Sequence, residues 1–263
     1  MKKYLVIGNP INHSLSPKLH NHWIKENNID AVYDKKKLHE DDLEKIISEI
    51  KNEKIHGMNV TTPFKKNIIA FVDKMTPIAE EAQSVNTVYK KNNKIIGDNT
   101  DIEGFEQSLN YINYDLENKK VFILGAGGVA LSIILALKRK KVSKIYISNR
   151  TKKEPQNLKD KYSDLIIVDW GEICDFDLII NATSLGLNID DSINLDFQNI
   201  GKEKLFYDVI YNPSKTNFLT EGKQLGNKIE NGKMMFIYQA QLSFKIWHNI
   251  LPKVDKETIK LLD

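Results

Sequence analysis

The chain has 263 residues, 41% of them hydrophobic, with 38 Lys and Arg against 35 Asp and Glu for a formal net charge of +3. That length allows one large domain or two medium ones with a real core, and so even a charge balance excludes an extended nucleic-acid-binding stripe. The single cysteine, Cys174, excludes an internal disulfide, and no apolar stretch approaches the roughly 20 residues needed to span a bilayer.

Strands and helices alternate along the whole chain, which predicts an α/β fold with mostly parallel sheets. Residues 4–8 read as a first strand, too short for a signal segment. Ser16 as an N-cap and Pro17 in the first turn open a helix through about Glu26. Residues 31–36 form a strand, and 41–51 a helix with Leu43, Ile46, Ile47 and Ile50 on one face. Residues 57–61 are a short strand that runs into a loop. Residues 86–89 and 94–97 pair as a hairpin around Asn92-Asn93. A second unit begins near Asp101 with a helix over 102–111. Its strands start at Val121 and continue at 144–148, 166–168, 178–181 and 205–209. A last helix covers 236–250. The lysine runs at 35–37 and 138–141 are solvated faces, and Cys174, with Glu172, Asp175 and Asp177 beside it, is an unreactive, partly buried thiol. A soluble, cytoplasmic protein is expected.

The apolar run 121–124 leads into Gly125-Ala126-Gly127-Gly128-Val129-Ala130. This is the dinucleotide-binding pattern G-x-G-x-x-A at a strand–turn–helix junction. Gly125 permits the tight turn, Gly127 lets the backbone approach a pyrophosphate, and Ala130 lets the helix pack close to the strand. The pyrophosphate belongs at the helix N-terminus, where unpaired N–H groups and the dipole favour an anion. The next strand ends in Asn149-Arg150-Thr151. An Asp or Glu there would hold a free ribose 2′-hydroxyl, whereas Arg150, with Lys152 and Lys153 behind it, can clamp a 2′-phosphate. The expected cofactor is therefore NADP(H). The alternative is an ordinary glycine turn ahead of an exposed basic strand end.

Polar clusters punctuate the first unit at residues 12–17, 59–65, 84–87 and 97–101. They offer the hydroxyls, amides, lysine and carboxylate needed to hold a small hydroxylated acid, and open α/β sheets bind ligands beyond the carboxyl ends of their strands. Read together, these blocks resemble the shikimate dehydrogenases over nearly the whole chain and in family order. The matching stretches are Ser14-Leu15-Ser16-Pro17; Asn59-Val60-Thr61 with Pro63 and Lys65; Ser84-Val85-Asn86-Thr87; and residues 97–104, from Gly97-Asp98-Asn99-Thr100-Asp101 onward. They continue through Gly125-Ala126-Gly127-Gly128, Asn149-Arg150-Thr151, Asn181-Ala182-Thr183-Ser184-Leu185-Gly186, Asp208-Val209-Ile210-Tyr211-Asn212-Pro213 and residues 232–239.

The resemblance implies a substrate and catalytic domain over residues 1–101, completed by C-terminal helices in 237–263. An NADP-binding Rossmann domain over 102–236 would face it across a cleft. It implies reversible reduction of 3-dehydroshikimate to shikimate by NADPH, a step of chorismate and aromatic amino-acid synthesis, by a monomer or homodimer that binds neither nucleic acid nor membrane. Lys65 and Asp101 are implied as the catalytic pair. Ser14 and Ser16 are implied as carboxylate ligands, and Asn59, Thr61, Asn86, Tyr211 and Gln239 as contacts to the carboxylate or ring hydroxyls. Val209 and Gly232 would line the nicotinamide with backbone, and Thr183 and Ser184 follow the strand beside the cofactor.

Other readings of these residues stand beside that one. Lys65 after Thr-Pro-Phe could be a surface charge, Asp101 could cap the helix at Ile102, and Ser16 could be a cap as well as a ligand. Tyr211 could pack a turn, and Gln239 could be an ordinary polar helix residue. His20 and His22, two apart, share no helix face, and no metal site is expected around them and His13. Leu187 and the acidic stretch 188–194 predict a differently shaped loop on the cofactor side. Two other functions remain open: a relative that also takes quinate or prefers NAD, and a non-catalytic dinucleotide-binding module.

Overall fold

The computed structural model describes residues 1–188 and 190–263 and divides into two units. The first comprises residues 1–105 and 237–263, the second 106–236. Ile189, inside the acidic loop expected to be differently shaped, lies outside the described residues.

In the first unit, β1 (Lys2–Gly8), α1 (Ser16–Glu26), β2 (Ala31–Lys37), α2 (Leu43–Lys51), β3 (Gly57–Val60), β4 (Lys74–Met75), α3 (Pro77–Ala82), β5 (Thr87–Lys91) and β6 (Lys94–Asp98) follow one another. The sheet order is β2-β1-β3-β5-β6-β4. It is mixed, with three parallel pairings and two antiparallel ones. β5 runs antiparallel to both neighbours, and to β6 because the hairpin between them turns at once through Asn92 and Asn93. Both asparagines hold positive φ, 50° and 59°, the left-handed pair that a two-residue hairpin turn requires.

Side chains alternate across this sheet. Leu5 and Ile7 of β1 pack with Leu43, Ile46, Ile47 and Ile50 of α2. Each of those buried aliphatic side chains contributes roughly 1.5–3 kcal/mol. On the other face Tyr4 meets Trp247 and His248 at ring distances of 5.1 and 4.7 Å. His20 and Trp23 of α1 pack with Tyr33 and Phe244 in the same aromatic layer. Ser16 does not cap α1. Leu15 holds the N-cap position without a side-chain bond, and Ser16 is the first helical residue.

The chain continues with α4 (Asp101–Tyr111), β7 (Lys120–Leu124), α5 (Ala130–Arg139), β8 (Lys144–Ser148), α6 (Lys153–Lys161), β9 (Leu165–Ile167), β10 (Leu178–Asn181), β11 (Leu205–Asp208), α7 (Asn217–Gln224), β12 (Lys228–Glu230), α8 (Lys233–His248) and α9 (Lys256–Lys260). The second sheet, order β12-β11-β10-β7-β8-β9, is wholly parallel. Both of its faces are covered, so β7, β10 and β11 are near-continuous apolar runs rather than alternating ones. Phe122, Ile179 and Phe206 pack with Phe176, Phe197 and Phe218. All of residues 130–137 in α5 are buried. The crossover from β7 through α5 to β8 places the glycine turn at the carboxyl end of the central strand, where doubly wound sheets bind ligands. No helix among the described residues is long and apolar enough to cross a membrane.

Candidate active site

Three strand ends and one helix start build the polar centre of the first unit. The backbone of Val60 donates to the carbonyl of Asn86 at 2.8 Å, and that of Val85 to Lys65 at 2.8 Å, so the loops after β3 and before β5 are fixed to each other. Lys65 Nζ meets Asp101 Oδ2 at 2.6 Å, with side chains only 14% and 5% exposed. An exposed lysine would gain little from such a partner, whereas this pair is largely withdrawn from water. Asp101 does not cap its own helix. The Asn99 side chain accepts from the backbone N–H groups of Asp101 and Ile102 at 3.0 and 3.3 Å, which leaves the Asp101 carboxylate available to Lys65.

Asn86 Nδ2 donates to Asp101 Oδ1 at 2.9 Å and lies 3.4 Å from Gln239 Oε1. Gln239, half-buried on α8, thus sits beside the pair. α4 and α8 approach closely here, since a side chain at Gly104 would come within 2.9 Å of the Gln239 backbone nitrogen. Asn59, 6% exposed, donates to the Asn86 carbonyl at 3.1 Å and accepts from Tyr33 at 2.6 Å. Ser14 and Ser16 stand together with their hydroxyls 3.2 Å apart. Thr61 follows β3, and its hydroxyl makes no hydrogen bond among the described residues. The structure therefore gathers Lys65, Asp101, Asn86, Gln239 and Asn59. It sets Ser14, Ser16 and Thr61 at the carboxyl ends of the neighbouring strands. Tyr211 belongs to the second unit, where its ring stacks on Phe236 at 4.2 Å.

The sequence reading missed Tyr33, Thr87 and Ser243, all buried and hydrogen-bonded to Asn59 or Asn86. Thr87 lies inside a recognised block. Tyr33 and Ser243 carry no local signal, because their partners are 26 and 184 residues away. His20 stacks on Tyr33 with centroids 4.1 Å apart and planes at 3°. Burial, helped by the nearby His248, lowers its pKa to about 3, so it is a neutral ring of the aromatic layer. Among the described residues no group of three His, Cys, Asp or Glu side chains is placed to hold a metal ion.

In the second unit, Gly125 has φ +102° and a side chain there would come within 2.9 Å of the Ala182 backbone. Only glycine suits both conditions. A side chain at Gly127 would meet nothing within 4 Å, so the space over the loop is open. The Ala126 N–H is held by Asn149 Oδ1 at 3.1 Å, and Asn149 Nδ2 holds the Thr151 carbonyl at 2.9 Å. Gly128, Val129 and buried Ala130 lead into α5, whose first turn receives no side-chain cap. Arg150 is exposed and makes no ion pair among the described residues, whereas Lys152 is tied to Asp169 at 2.8 Å. An open glycine loop at an uncapped helix start and an unpaired guanidinium at the next strand end suit a phosphorylated dinucleotide.

Beside this loop Thr183 bonds through its N–H and hydroxyl to Asn181 Oδ1 at 3.0 and 2.7 Å, and Ser184 is exposed. Asp208 joins these neighbours. Its Oδ1 accepts from Asn181 and from the Ile210 N–H at 3.1 and 2.9 Å, and its Oδ2 from Thr216 at 2.6 Å. Desolvation of this fully buried carboxyl pushes its pKa up to about 6 despite those bonds. Gly232 comes so close to Val209 that a side chain would sit 2.1 Å from the Val209 carbonyl oxygen.

Comparison with known proteins is consistent across both units. Residues 6–88 match the family model of the shikimate dehydrogenase substrate binding domain, and residues 107–209 that of shikimate / quinate 5-dehydrogenase. A shikimate dehydrogenase (NADP(+)) of Pelagibacter ubique is 58% identical over 262 residues, covering 100% of this chain and 99% of the relative. One from Caldicellulosiruptor saccharolyticus is 38% identical, covering 95% of this chain and 94% of its own. The crystal structure of shikimate 5-dehydrogenase from Thermus thermophilus in complex with NADP(H) and shikimate superposes with a TM-score of 0.90 at 28% identity, covering 100% of this chain and 98% of that one. With two domain models in sequence order and near-complete coverage by such relatives, this chain belongs to the shikimate dehydrogenase family.

Proposed function

We propose that this protein reduces 3-dehydroshikimate reversibly to shikimate with NADPH, in chorismate and aromatic amino-acid biosynthesis, and that Lys65 and Asp101 handle the proton. The observation that carries the residue assignment is the buried 2.6 Å pair between them. NADPH supplies the hydride that reaches the ketone carbon. Negative charge then grows on the ketone oxygen, and a positioned N–H donor must meet it. The Lys65 ammonium donates a proton from Nζ to that oxygen, and the new O–H bond completes the alcohol. Asp101 Oδ2 holds Nζ in place through one N–H and leaves the others for substrate. In the oxidative direction Lys65 takes the same proton back.

Ser14 and Ser16, at the start of α1, offer two adjacent hydroxyls to the substrate carboxylate. Thr61, Gln239, Asn59 and Asn86 line the ring side, and Tyr211 is a further substrate contact in this reading. The 125–130 loop cradles the pyrophosphate, while Asn149, Arg150 and Thr151 take the adenosine end. Thr183, Ser184, Val209 and Gly232 border the nicotinamide. The reading includes a cytoplasmic enzyme, a monomer or homodimer.

The test is NADPH oxidation that depends on 3-dehydroshikimate. Lys65→Ala is expected to lower kcat/KM by 10²- to 10⁴-fold, roughly 3–5 kcal/mol, with NADP+ affinity unchanged. A loss of less than about threefold would end the assignment of Lys65 as proton donor.

A further inference from the structure

The amides beside the Lys65–Asp101 pair are set by a chain of buried donors that begins at the far side of the first unit. Tyr33, 1% exposed on β2, donates its hydroxyl to Asn59 Oδ1 at 2.6 Å. Asn59 Nδ2 donates to Thr87 Oγ1 at 3.2 Å. Thr87 Oγ1 donates to Asn86 Oδ1 at 3.0 Å, and Asn86 Nδ2 donates to Asp101 Oδ1 at 2.9 Å. Every link points the same way, from donor to acceptor, and the last acceptor is the carboxylate that holds Lys65. Thr87 is wholly buried, Asn86 is 2% exposed, and Ser243 of α8 supports the middle of the chain at 2.8 Å from Thr87 Oγ1.

We propose that Tyr33 and Thr87 are positioning residues for the reaction, acting through a one-directional hydrogen-bond relay, Tyr33 to Asn59 to Thr87 to Asn86, that fixes the Asp101 carboxylate against Lys65. Serial donors in a water-poor interior polarise one another, so each link is stronger in the chain than alone. The relay also fixes the sense of both amides. A flipped Asn86 would turn its oxygen to the Asp101 carboxylate and its NH2 to the Thr100 N–H, which now donates to Oδ1 at 2.8 Å. The His20 ring stacked on Tyr33 is neutral and places no charge beside the first link. The inference rests on the functional reading above only for its kinetic consequence.

The test compares Thr87→Val, Thr87→Ser, Tyr33→Phe and the double variant Tyr33→Phe/Thr87→Val. Thr87→Val keeps the shape and removes the hydroxyl, and should lower kcat for shikimate oxidation about tenfold with KM for NADP+ unchanged. Thr87→Ser restores the hydroxyl and should stay within about twofold of the wild type, even though it loses a buried methyl. Tyr33→Phe, one link further out, should cost about threefold. The double variant should be no slower than Thr87→Val, because two breaks in one chain are not additive. A readout independent of turnover is solvent exchange of the Asn86 side-chain amide protons, followed by NMR in the protein without ligands. It should quicken in Thr87→Val and Tyr33→Phe and remain as in the wild type in Thr87→Ser. Should Thr87→Val fail to fold, Tyr33→Phe carries the test with its smaller loss and the same quickened exchange. Additive losses, a Ser variant as slow as the Val variant, or unchanged amide exchange would each overturn the relay. An inactive wild type with the expected exchange pattern would instead overturn the functional reading alone.

Discussion

The two units build their sites from opposite materials. In the first, charge and amides are packed into the interior and bonded to one another, so that Lys65, Asp101, Asn86 and Asn59 are held by partners before any substrate arrives. In the second, the site consists mostly of what is missing. There is open space over Gly127, contact at Gly125 too close for a side chain, and a guanidinium with no ion pair among the described residues. Proton transfer needs a donor at a fixed point, which favours preorganised side chains. Holding a pyrophosphate needs converging N–H groups and room, which favours bare backbone. The same chain therefore spends burial on side chains in one place and on their absence in the other.

The contrast extends to pH, where the largest effect is expected. His20 in the first unit has its pKa lowered to about 3 from 6.5, so the unfolded chain binds the proton more readily. Its contribution to stability is present above pH 6.5 and is lost as pH falls toward 3, at most about 5 kcal/mol. Asp208 in the second unit has its pKa raised to about 6 from 3.8, so the fold favours the protonated form. Its contribution is full below pH 3.8 and is lost as pH rises through 6, about 3 kcal/mol in the opposite sense. Hydrogen exchange, corrected for intrinsic rates, should show α1 losing protection between pH 7 and 4.5 while β10 and β11 keep theirs. His20→Phe should flatten the acid response of the first unit, and Asp208→Asn should gain stability relative to the wild type as pH rises from 4 to 7. Equal acid responses in the two units would break the comparison.

Much of this contrast was legible in the sequence, but unevenly. The glycine turn and the strand Lys144–Ser148 are legible with their observed bounds, and the helix ending at Glu26 is legible except that Ser16 is its first residue rather than its cap, because turn chemistry and apolar periodicity are local. The antiparallel β5 followed from a hairpin the sequence did announce, yet its effect on the whole sheet depends on which strands become neighbours. The two-residue β4 and the polar α6, with only Pro155 buried, carry almost no pattern. In the site, Lys65 and Asp101 lie in recognisable blocks. That Asn99 rather than Asp101 serves the start of α4, or that Tyr33 and Ser243 set Asn59, is decided by contacts across the fold and leaves no trace in spacing.

The close backbone approach at Gly232 offers a test confined to the second unit. Gly232→Ala would drive a methyl against the Val209 carbonyl, and the three nearest atoms are all Val209 backbone, which cannot turn aside as a flexible side chain could. The end of β11 must move, at a cost near the upper end of overpacking, about 3 kcal/mol. NADP+ affinity should fall more than tenfold, while shikimate binding, measured calorimetrically without cofactor, should be far less affected. If NADP+ affinity held while only thermal stability fell, the 209–232 contact would be scaffolding rather than part of the cofactor site.

The smallest effect is expected at Arg150, and it tests the material difference most directly. Its guanidinium is exposed and makes no ion pair among the described residues, whereas Asp101 would be left without its cation if Lys65 were removed. Arg150→Ala should therefore leave stability unchanged. A 2′-phosphate would lose one charge-assisted, two-pronged contact, which corresponds to a rise of roughly ten- to thirtyfold in KM for NADPH. NADH, which lacks that phosphate, should be used no worse than before, and kcat at saturating NADPH should hold. A KM that rose equally for both cofactors would place Arg150 on the shared part of the dinucleotide. An unchanged KM for NADPH would move the source of cofactor preference to Lys153 and the backbone of Thr151.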